Sequence, residues 1–383
     1  MYLNSLILNN FKNYTDAELQ FSDKINCFVG GNGAGKTNLL DAIYYLSFCK
    51  SYFNPVDSQN IRHGEEVFAI HGHYARNGER EDQVSCIQRR NERKIFKINQ
   101  KEYDRLADHI GLIPLVMISP YDRDLINEGS DVRRRYLDSV ISQFDRNYLE
   151  ALMAYNKVLM QRNALLKTLA DSGSHAVSQL DWWDEQLIIK AMPVYEGRRL
   201  FLAGFTDLFR SYFQILTDGR EVVDLQYETQ LDEMEMRELL PLHRSRDLAV
   251  RYTTQGIHKD DLRMLIDGYP AKKFGSQGQQ KSFVVALKLA QFEYMRQKKE
   301  AKPLLLLDDV FDKLDEKRVA KLIHLVAEER FGQVFITDTQ ADRVQQIFDE
   351  SLLKHISFHV SGGVATVMNG TGTGTGIGKG DAL

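Results

Sequence analysis

The sequence predicts an α/β protein in which a phosphate-loop sheet, flanked by an antiparallel β subdomain, carries an inserted helical lobe. Three observations predict it. A short apolar run, Lys24 to Val29, leads into Gly30-Gly31-Asn32-Gly33-Ala34-Gly35-Lys36-Thr37 and then into a segment with Leu39, Leu40, Ile43 and Leu46 at helical spacing. The run Leu304 to Leu307 has no polar alternation, as expected of a strand buried on both faces, and it ends on Asp308 and Asp309. Between them, from Asp131 onward, the hydrophobic period becomes helical. A Leu304–Leu307 strand paired beside the phosphate-loop strand makes the first lobe discontinuous, residues 1–115 with 295–367, and places the helical lobe, residues 116–294, inside it. Residues 368–383, rich in glycine and threonine, are expected to be disordered.

Each element has its own signal. Ala17, Leu19 and Phe21 alternate with polar residues, and Val84 to Ile98 holds two strand-like runs about the polar turn Arg90-Asn91-Glu92-Arg93, which suggests the antiparallel sheet. Leu137, Val140, Ile141 and Phe144 share one helical face; Leu152, Leu159 and Leu166 then recur at heptad spacing. Asp171-Ser172-Gly173-Ser174 interrupts the run, and Trp183, Leu187, Ala191 and Val194 resume it, so the lobe reads as an antiparallel helical hairpin. A further helix opens at Ser276-Gln277-Gly278-Gln279-Gln280 and keeps Phe283, Leu287, Ala290 and Tyr294 on one side.

The loop from Gly30 fits GxxxxGK[ST] in full, with strand before and helix after. Glycines let successive N–H groups turn toward phosphate oxygens without a Cβ in the way. Gly30, Gly31, Asn32, Gly33, Ala34, Gly35, Lys36, Thr37 and Asn38 are therefore the candidate nucleotide-binding residues, Lys36 facing the β- and γ-phosphates and the Thr37 hydroxyl a ligand of Mg²⁺. Asp308 and Asp309 end their strand where open α/β sheets bind ligands. Asp308 is expected to hold Mg²⁺ through water, and Asp309 to orient or deprotonate the attacking water, which makes Asp309 and Lys36 the candidate catalytic residues. Asp315 extends the pattern. Ser276, Gln277, Gly278 and Gln279 open a helix with a hydroxyl and glycine-flanked N–H groups at its N-terminus, a second anion site far from the first in sequence. A serine N-cap alone explains such a start; a partner subunit's nucleotide explains why one chain would hold two phosphate sites.

Composition bounds the partners. With 383 residues and 43% hydrophobic content the chain can bury a large core in two or three lobes, and a formal net charge of -4 excludes a bulk polycation, so nucleic-acid contact needs a local basic surface. Cys27, Cys49 and Cys86 lack metal spacing and read as reduced core thiols of a cytoplasmic protein. No apolar run has the length of a membrane span and the start lacks a leader pattern, so no membrane partner is expected.

The segment from Ser276 to Lys281 resembles the signature of ATP-binding-cassette ATPases in the variant used by the RecF family of recombination-repair proteins. Asn10-Phe11-Lys12-Asn13-Tyr14, Arg133-Arg134-Arg135-Tyr136-Leu137-Asp138, Gln161 to Lys167 and Gly256-Ile257-His258-Lys259-Asp260-Asp261 are similar to that family as well, from about Met1 to Gly363. The usual pattern has proline and arginine at Ile257 and Lys259, and an arginine where this chain has Phe53; the lysine keeps the charge and Phe53 does not. The resemblance implies an ATP-binding-cassette ATPase head whose helical lobe carries the signature, ATP and Mg²⁺ as cofactors, and an ATP-dependent homodimer with each ATP between one Lys36 loop and the other Ser276 segment. The hairpin is too short for the long coiled coil of chromosome-maintenance ATPases. Transporter cassettes place glutamate at Asp309 and histidine at Thr337; the shorter acid suggests slow, switch-like turnover. The implied role is recombinational repair and replication restart, binding single-stranded, duplex or gapped DNA with RecR- and RecO-like partners, assisting RecA loading and the SOS response.

Candidate DNA contacts are Arg133, Arg134, Arg135, Lys157 and Arg162, with Lys167, Arg89-Arg90, Arg93-Lys94 and Arg296 to Lys299 as further basic clusters, although a charge run is more often a solvated face. His258 beside Asp260 and Asp261 has no second histidine at ligand spacing, so a structural hydrogen-bonding role outweighs a metal or acid–base one. A transporter-type nucleotide-binding subunit, an ATP-dependent nuclease and a nucleotide-gated clamp with negligible hydrolysis are the competing readings.

Overall fold

The computed structural model describes residues 1–76, 81–172, 178–219, 221–299, 301–311, 316–340 and 355–370. They fall into two compact units, Met1–Tyr121 with Phe292–Leu383, and Asp122–Gln291.

In chain order the first unit begins with β1 (Tyr2–Phe11), β2 (Tyr14–Gln20), β3 (Ile25–Val29) and α1 (Lys36–Phe48), followed by β4 (Val67–Ala75), β5 (Glu81–Arg89), β6 (Ile95–Ile98), β7 (Lys101–Glu102) and β8 (Leu115–Ile118). The second unit holds α2 (Asp124–Asn127), α3 (Ser130–Ser142), α4 (Arg146–Ser172), α5 (Gln179–Thr217), β9 (Val223–Glu228), α6 (Met236–Val250), β10 (Asp261–Ile266), β11 (Tyr269–Pro270), α7 (Ala271–Phe274) and the start of α8 (Gln277–Lys299). The chain then returns to the first unit with β12 (Leu304–Leu307), α9 (Glu316–Ala327), β13 (Val334–Asp338), β14 (His355–Ser361) and β15 (Val364–Gly370).

Two sheets make the first unit. One is antiparallel, ordered β2-β1-β4-β5-β6-β7, and β4 and most of β5 alternate buried with half-buried residues as the period of two requires. The other runs β15-β14-β3-β13-β12-β8 and is parallel from β14 to β8. Here β3, β12 and β13 are buried at every residue, which is why β12 reads as an unbroken apolar run and β3 as a largely apolar one. The pairing expected between β3 and β12 is not made: β13 lies between them, because Val334–Asp338 is itself a wholly buried strand that pairs with both neighbours.

One hydrophobic core takes Leu6, Leu8 and Phe68 from the antiparallel sheet, Leu39 and Ile43 from α1, and Phe28, Leu306, Phe335 and Phe358 from the parallel one. The Phe21 ring meets Phe335 edge-on at 5.0 Å and Phe358 at 5.8 Å; each fully buried phenylalanine contributes about 1.5–3 kcal/mol. In the second unit α4 and α5 run antiparallel: the Tyr148 ring lies where a Cβ on Gly197 would stand, 2.5 Å away, and Arg162 meets Asp184.

The disorder expected from Met368 does not begin there, since β15 pairs with β14 through Gly370. Residues 371–383 and Asp315 lie outside the described residues. Cys27, Cys49 and Cys86 are buried free thiols. Among the described residues, no helix is long and apolar enough to cross a membrane.

Candidate nucleotide-binding site

Parallel pairing of β3, β13 and β12 brings their carboxyl ends together, and with them Gly30, Thr337 and Asp308. The loop is fixed from outside as well as by its own turns. A Cβ on Gly30 would stand 2.1 Å from the Val360 carbonyl oxygen of β14, and Gly35 has φ +114 with Asn13 Nδ2 2.4 Å from where its Cβ would be. Asn13 Nδ2 donates to the Ala34 carbonyl at 3.1 Å, Asn38 Nδ2 donates to Asn13 Oδ1 at 2.7 Å, and the Tyr14 hydroxyl donates to the Gly35 carbonyl at 3.1 Å. The Asn10–Tyr14 stretch, legible in the sequence as a resemblance without a role, thus buttresses the loop.

Lys36 is buried, and its Nζ donates to the carbonyls of Gly30 at 2.9 Å and Gly31 at 3.0 Å, so the ammonium curls back over the loop it belongs to. Thr37 Oγ1 donates to Asp308 Oδ1 at 2.9 Å, joining the first turn of α1 to the end of β12. Burial raises the Asp308 carboxyl to about 6; the Thr337 and Thr37 hydroxyls and the Lys36 charge pull it down, and Asp309 pushes it up. A desolvated carboxylate beside a hydroxyl oxygen is a hard-donor pair that fits Mg²⁺, which takes one or two protein ligands and keeps the rest of its shell for water and phosphate. Thr37 and Asp308 are the residues that would hold it.

Thr337, which sequence reasoning compared with transporter cassettes without giving it a role, is fully buried; its hydroxyl donates to Asp308 Oδ1 at 2.9 Å and accepts the Asp309 N–H at 2.9 Å. The available signal was a hydroxyl directly after the apolar residues Val334, Phe335 and Ile336. Phe53 lies against Lys12, whose Nζ is 5.3 Å from the ring centre and 2.6 Å from Asp41. The ring also meets Tyr52 at 5.1 Å and Tyr121 at 5.6 Å.

Ser276 belongs to the second unit, with its neighbours Gln277, Gly278 and Gln279. It forms a reciprocal cap: the Gln279 N–H donates to Ser276 Oγ at 3.2 Å and the Ser276 N–H donates to Gln279 Oε1 at 2.6 Å. Gln279 Nε2 donates in turn to Glu221 at 2.8 Å. The cap uses the serine oxygen as acceptor and leaves its hydroxyl proton directed by whatever accepts it.

Comparison with known proteins supplies the family. The RecF/RecN/SMC N terminal domain matches residues 2–359. The chain is 51% identical over 347 residues to the DNA replication and repair protein RecF of Flavobacterium johnsoniae, covering 91% of this chain and 96% of that protein. It is 47% identical over 367 residues to the RecF of Phocaeicola vulgatus, covering 96% and 98%. The chain belongs to the RecF family. Among solved structures it is similar to the recombination mediator protein RecF with ATP in the RecFOR pathway, with TM-score 0.86 and 28% identity over 96% of this chain and 98% of that one. An Smc head domain bound to the C-terminal domain of ScpA, from Pyrococcus furiosus, shares the fold at TM-score 0.58 and 17% identity, over 96% of each chain. The architecture is thus the ATP-binding-cassette head common to RecF and SMC proteins.

The family stretch from Gly256 to Asp261 is internal to the second unit. His258 Nε2–H donates to the Thr253 carbonyl at 2.9 Å and Nδ1 accepts from the Tyr155 hydroxyl at 2.7 Å; burial lowers its pKa to about 4, so it is a neutral structural group. Asp260 accepts from Arg198 at 3.0 Å and from the Tyr227 hydroxyl.

These contacts sort the basic candidates. Arg162 is corrected: it is fully buried and ion-paired with Asp184 at 2.6 Å and Asp247 at 2.8 Å, because it falls on the same helical face as Tyr155, Leu166 and Leu169, where no phosphate reaches it. Arg133 holds Asp261 with two bonds, at 2.7 and 2.9 Å, and Arg134 donates to the Asp260 carbonyl. Arg135 is exposed, in an ion pair with Asp131, and Lys157 is exposed.

Proposed function

We propose that this chain is an ATP-dependent DNA-binding protein of recombinational repair, a weak DNA-stimulated ATPase acting as a switch. Two subunits close on two ATP molecules, each between one subunit's Lys36 loop and the other's Ser276 segment; closure forms a surface for gapped or single-strand/duplex DNA, and hydrolysis opens it. The observation that carries the ATP half is the 2.9 Å bond from Thr37 to Asp308, which unites the phosphate loop with an acid 271 residues away in sequence.

In this reading Lys36 leaves the Gly30 and Gly31 carbonyls for the β- and γ-phosphates, while the loop N–H groups and the start of α1 hold their oxygens. Mg²⁺, held by Thr37 and Asp308, supplies positive charge against the phosphates. Asp309 orients a water and takes its proton as the water oxygen bonds to the γ-phosphorus and the bond to ADP breaks. An aspartate there reaches less far than a glutamate, which suits a switch.

The DNA half rests on family membership and on the names of relatives, DNA replication and repair proteins and a RecFOR-pathway mediator. RecR- and RecO-like partners, assistance to RecA loading, replication restart, the SOS response and a cytoplasmic location follow from the same reading. The test is Asp309→Asn: it retains ATP, releases phosphate at a small fraction of the wild-type rate, and binds gapped duplex more tightly with ATP than without. Wild-type turnover in that variant, or DNA binding indifferent to ATP, overturns the reading.

A further inference from the structure

We propose that Thr337 is a positioning residue for hydrolysis, one hydroxyl setting both the Asp308 carboxylate and the Asp309 backbone. The inference rests on the roles given above to Asp308 and Asp309 and goes beyond them by naming what aims the two acids.

Thr337 lies in β13, the strand between the phosphate-loop strand and the strand that ends on the acids, in register with Phe28 on one side, while Ile336 before it faces Leu307 on the other. It is fully buried, with Ile336 before it and Phe28 beside it, where an idle hydroxyl would be unfavourable. Its hydroxyl is not idle. The proton goes to Asp308 Oδ1 at 2.9 Å, and a lone pair accepts the Asp309 N–H at 2.9 Å. Thr37 Oγ1 donates to that same Oδ1, also at 2.9 Å, so two hydroxyls from different elements fix one carboxylate oxygen and leave Oδ2 outside both bonds.

The second bond matters because Asp309 has φ +43, a left-handed conformation unfavourable for a residue other than glycine and kept only where the surroundings hold it. The N–H bond to Thr337 is one such hold. Without it the peptide joining Asp308 to Asp309 is free to relax, and the Asp309 carboxylate turns away from the direction in which it meets water. Neither bond made by Thr337 reaches the Gly30–Thr37 loop, so its loss should change ATP affinity far less than the rate of the chemical step.

The experiment is steady-state ATP hydrolysis by the full chain with Mg²⁺ and gapped duplex, for wild type, Thr337→Val, Thr337→Ser and Asp309→Asn, with ATP binding measured separately. Valine keeps the shape and removes both bonds; serine keeps both. The expected result is a kcat for Thr337→Val at least about tenfold below wild type with KM and ATP affinity within about threefold, and recovery in Thr337→Ser to within about threefold of wild type. Should the valine variant fail to fold, Thr337→Ala removes the same hydroxyl, and serine is measured in either case. A normal kcat in Thr337→Val while Asp309→Asn stalls overturns the role of Thr337 alone. Normal turnover in Asp309→Asn overturns the reading beneath it. A serine variant as slow as the valine one shows that the hydroxyl is not what matters, and also overturns the proposal.

Discussion

His258→Gln replaces a neutral buried imidazole with a neutral amide that offers the same pair of functions, an N–H toward the Thr253 carbonyl and an acceptor toward the Tyr155 hydroxyl. In the folded chain, burial lowers the imidazole pKa from 6.5 to about 4 against the opposing pull of the Thr253 carbonyl. The unfolded chain therefore takes up a proton near pH 6.5 that the folded chain refuses until about pH 4. The stability contribution is present above 6.5 and is lost as pH falls toward 4. Those two values correspond to roughly 1 kcal/mol lost between pH 7.5 and 5.5. The two tryptophans of the chain, Trp182 and Trp183, both lie in the second unit, so their fluorescence follows the unfolding of the unit that holds His258. Urea unfolding read this way at both pH values should show the wild type losing roughly 1 kcal/mol more than the variant, the other titrating groups cancelling in the comparison. ATP turnover by the folded variant should stay near wild type. Equal pH slopes would refute the buried neutral imidazole, and a folded variant without turnover would make His258 an acid–base group after all.

Three further outcomes are expected. Arg162→Met takes the buried Asp247 from its arginine and leaves Asp184 with Arg244 alone, and should destabilise the second unit by roughly 3–5 kcal/mol in the same fluorescence assay; wild-type stability would contradict the buried ion cluster. Reversing Arg135 and Lys157 to glutamate, both exposed, should lower DNA affinity about equally for all sequences and flatten its salt dependence, and unchanged binding would make them solvated faces. Gly30→Ala should abolish ATP binding, because the new Cβ falls 2.1 Å from the Val360 carbonyl oxygen, part of a backbone that cannot swing aside; ATP affinity equal to wild type would contradict the close approach.

The phosphate loop and the two acids were legible because their chemistry is local: a glycine pattern, and a leucine run ending in carboxylates. So were the hairpin of α4 and α5 and the alternating strands, whose periods of 3.6 and 2 report which face is buried. Strand order was not, since Val334–Asp338 carries no mark that it lies between β3 and β12 rather than outside them. Neither was the work of Thr337, Asn13 and Asn38, which depends on side chains meeting across long sequence separations. Arg162 is the instructive miss. Read as one of a basic series it looked like a phosphate contact, yet its spacing, three after Leu159 and four before Leu166, already put it on the apolar face of its helix. Arg133 and Arg134 likewise spend their charge on Asp261 and the Asp260 carbonyl, so replacing them perturbs the fold along with any DNA surface.

The shared site is tested most directly by measuring the mass of the protein in solution with and without ATP for wild type, Ser276→Arg and Ser276→Asp. Aspartate keeps the cap that Ser276 makes with the Gln279 N–H, so α8 still starts where it should, and it faces the partner's phosphates with a negative charge; arginine fills the space instead. Wild type should be a monomer without ATP and a dimer with it, while both variants bind ATP through the intact Lys36 loop and remain monomers. If Ser276→Arg and Ser276→Asp dimerise with ATP as wild type does, the nucleotide is not held between two subunits at Ser276.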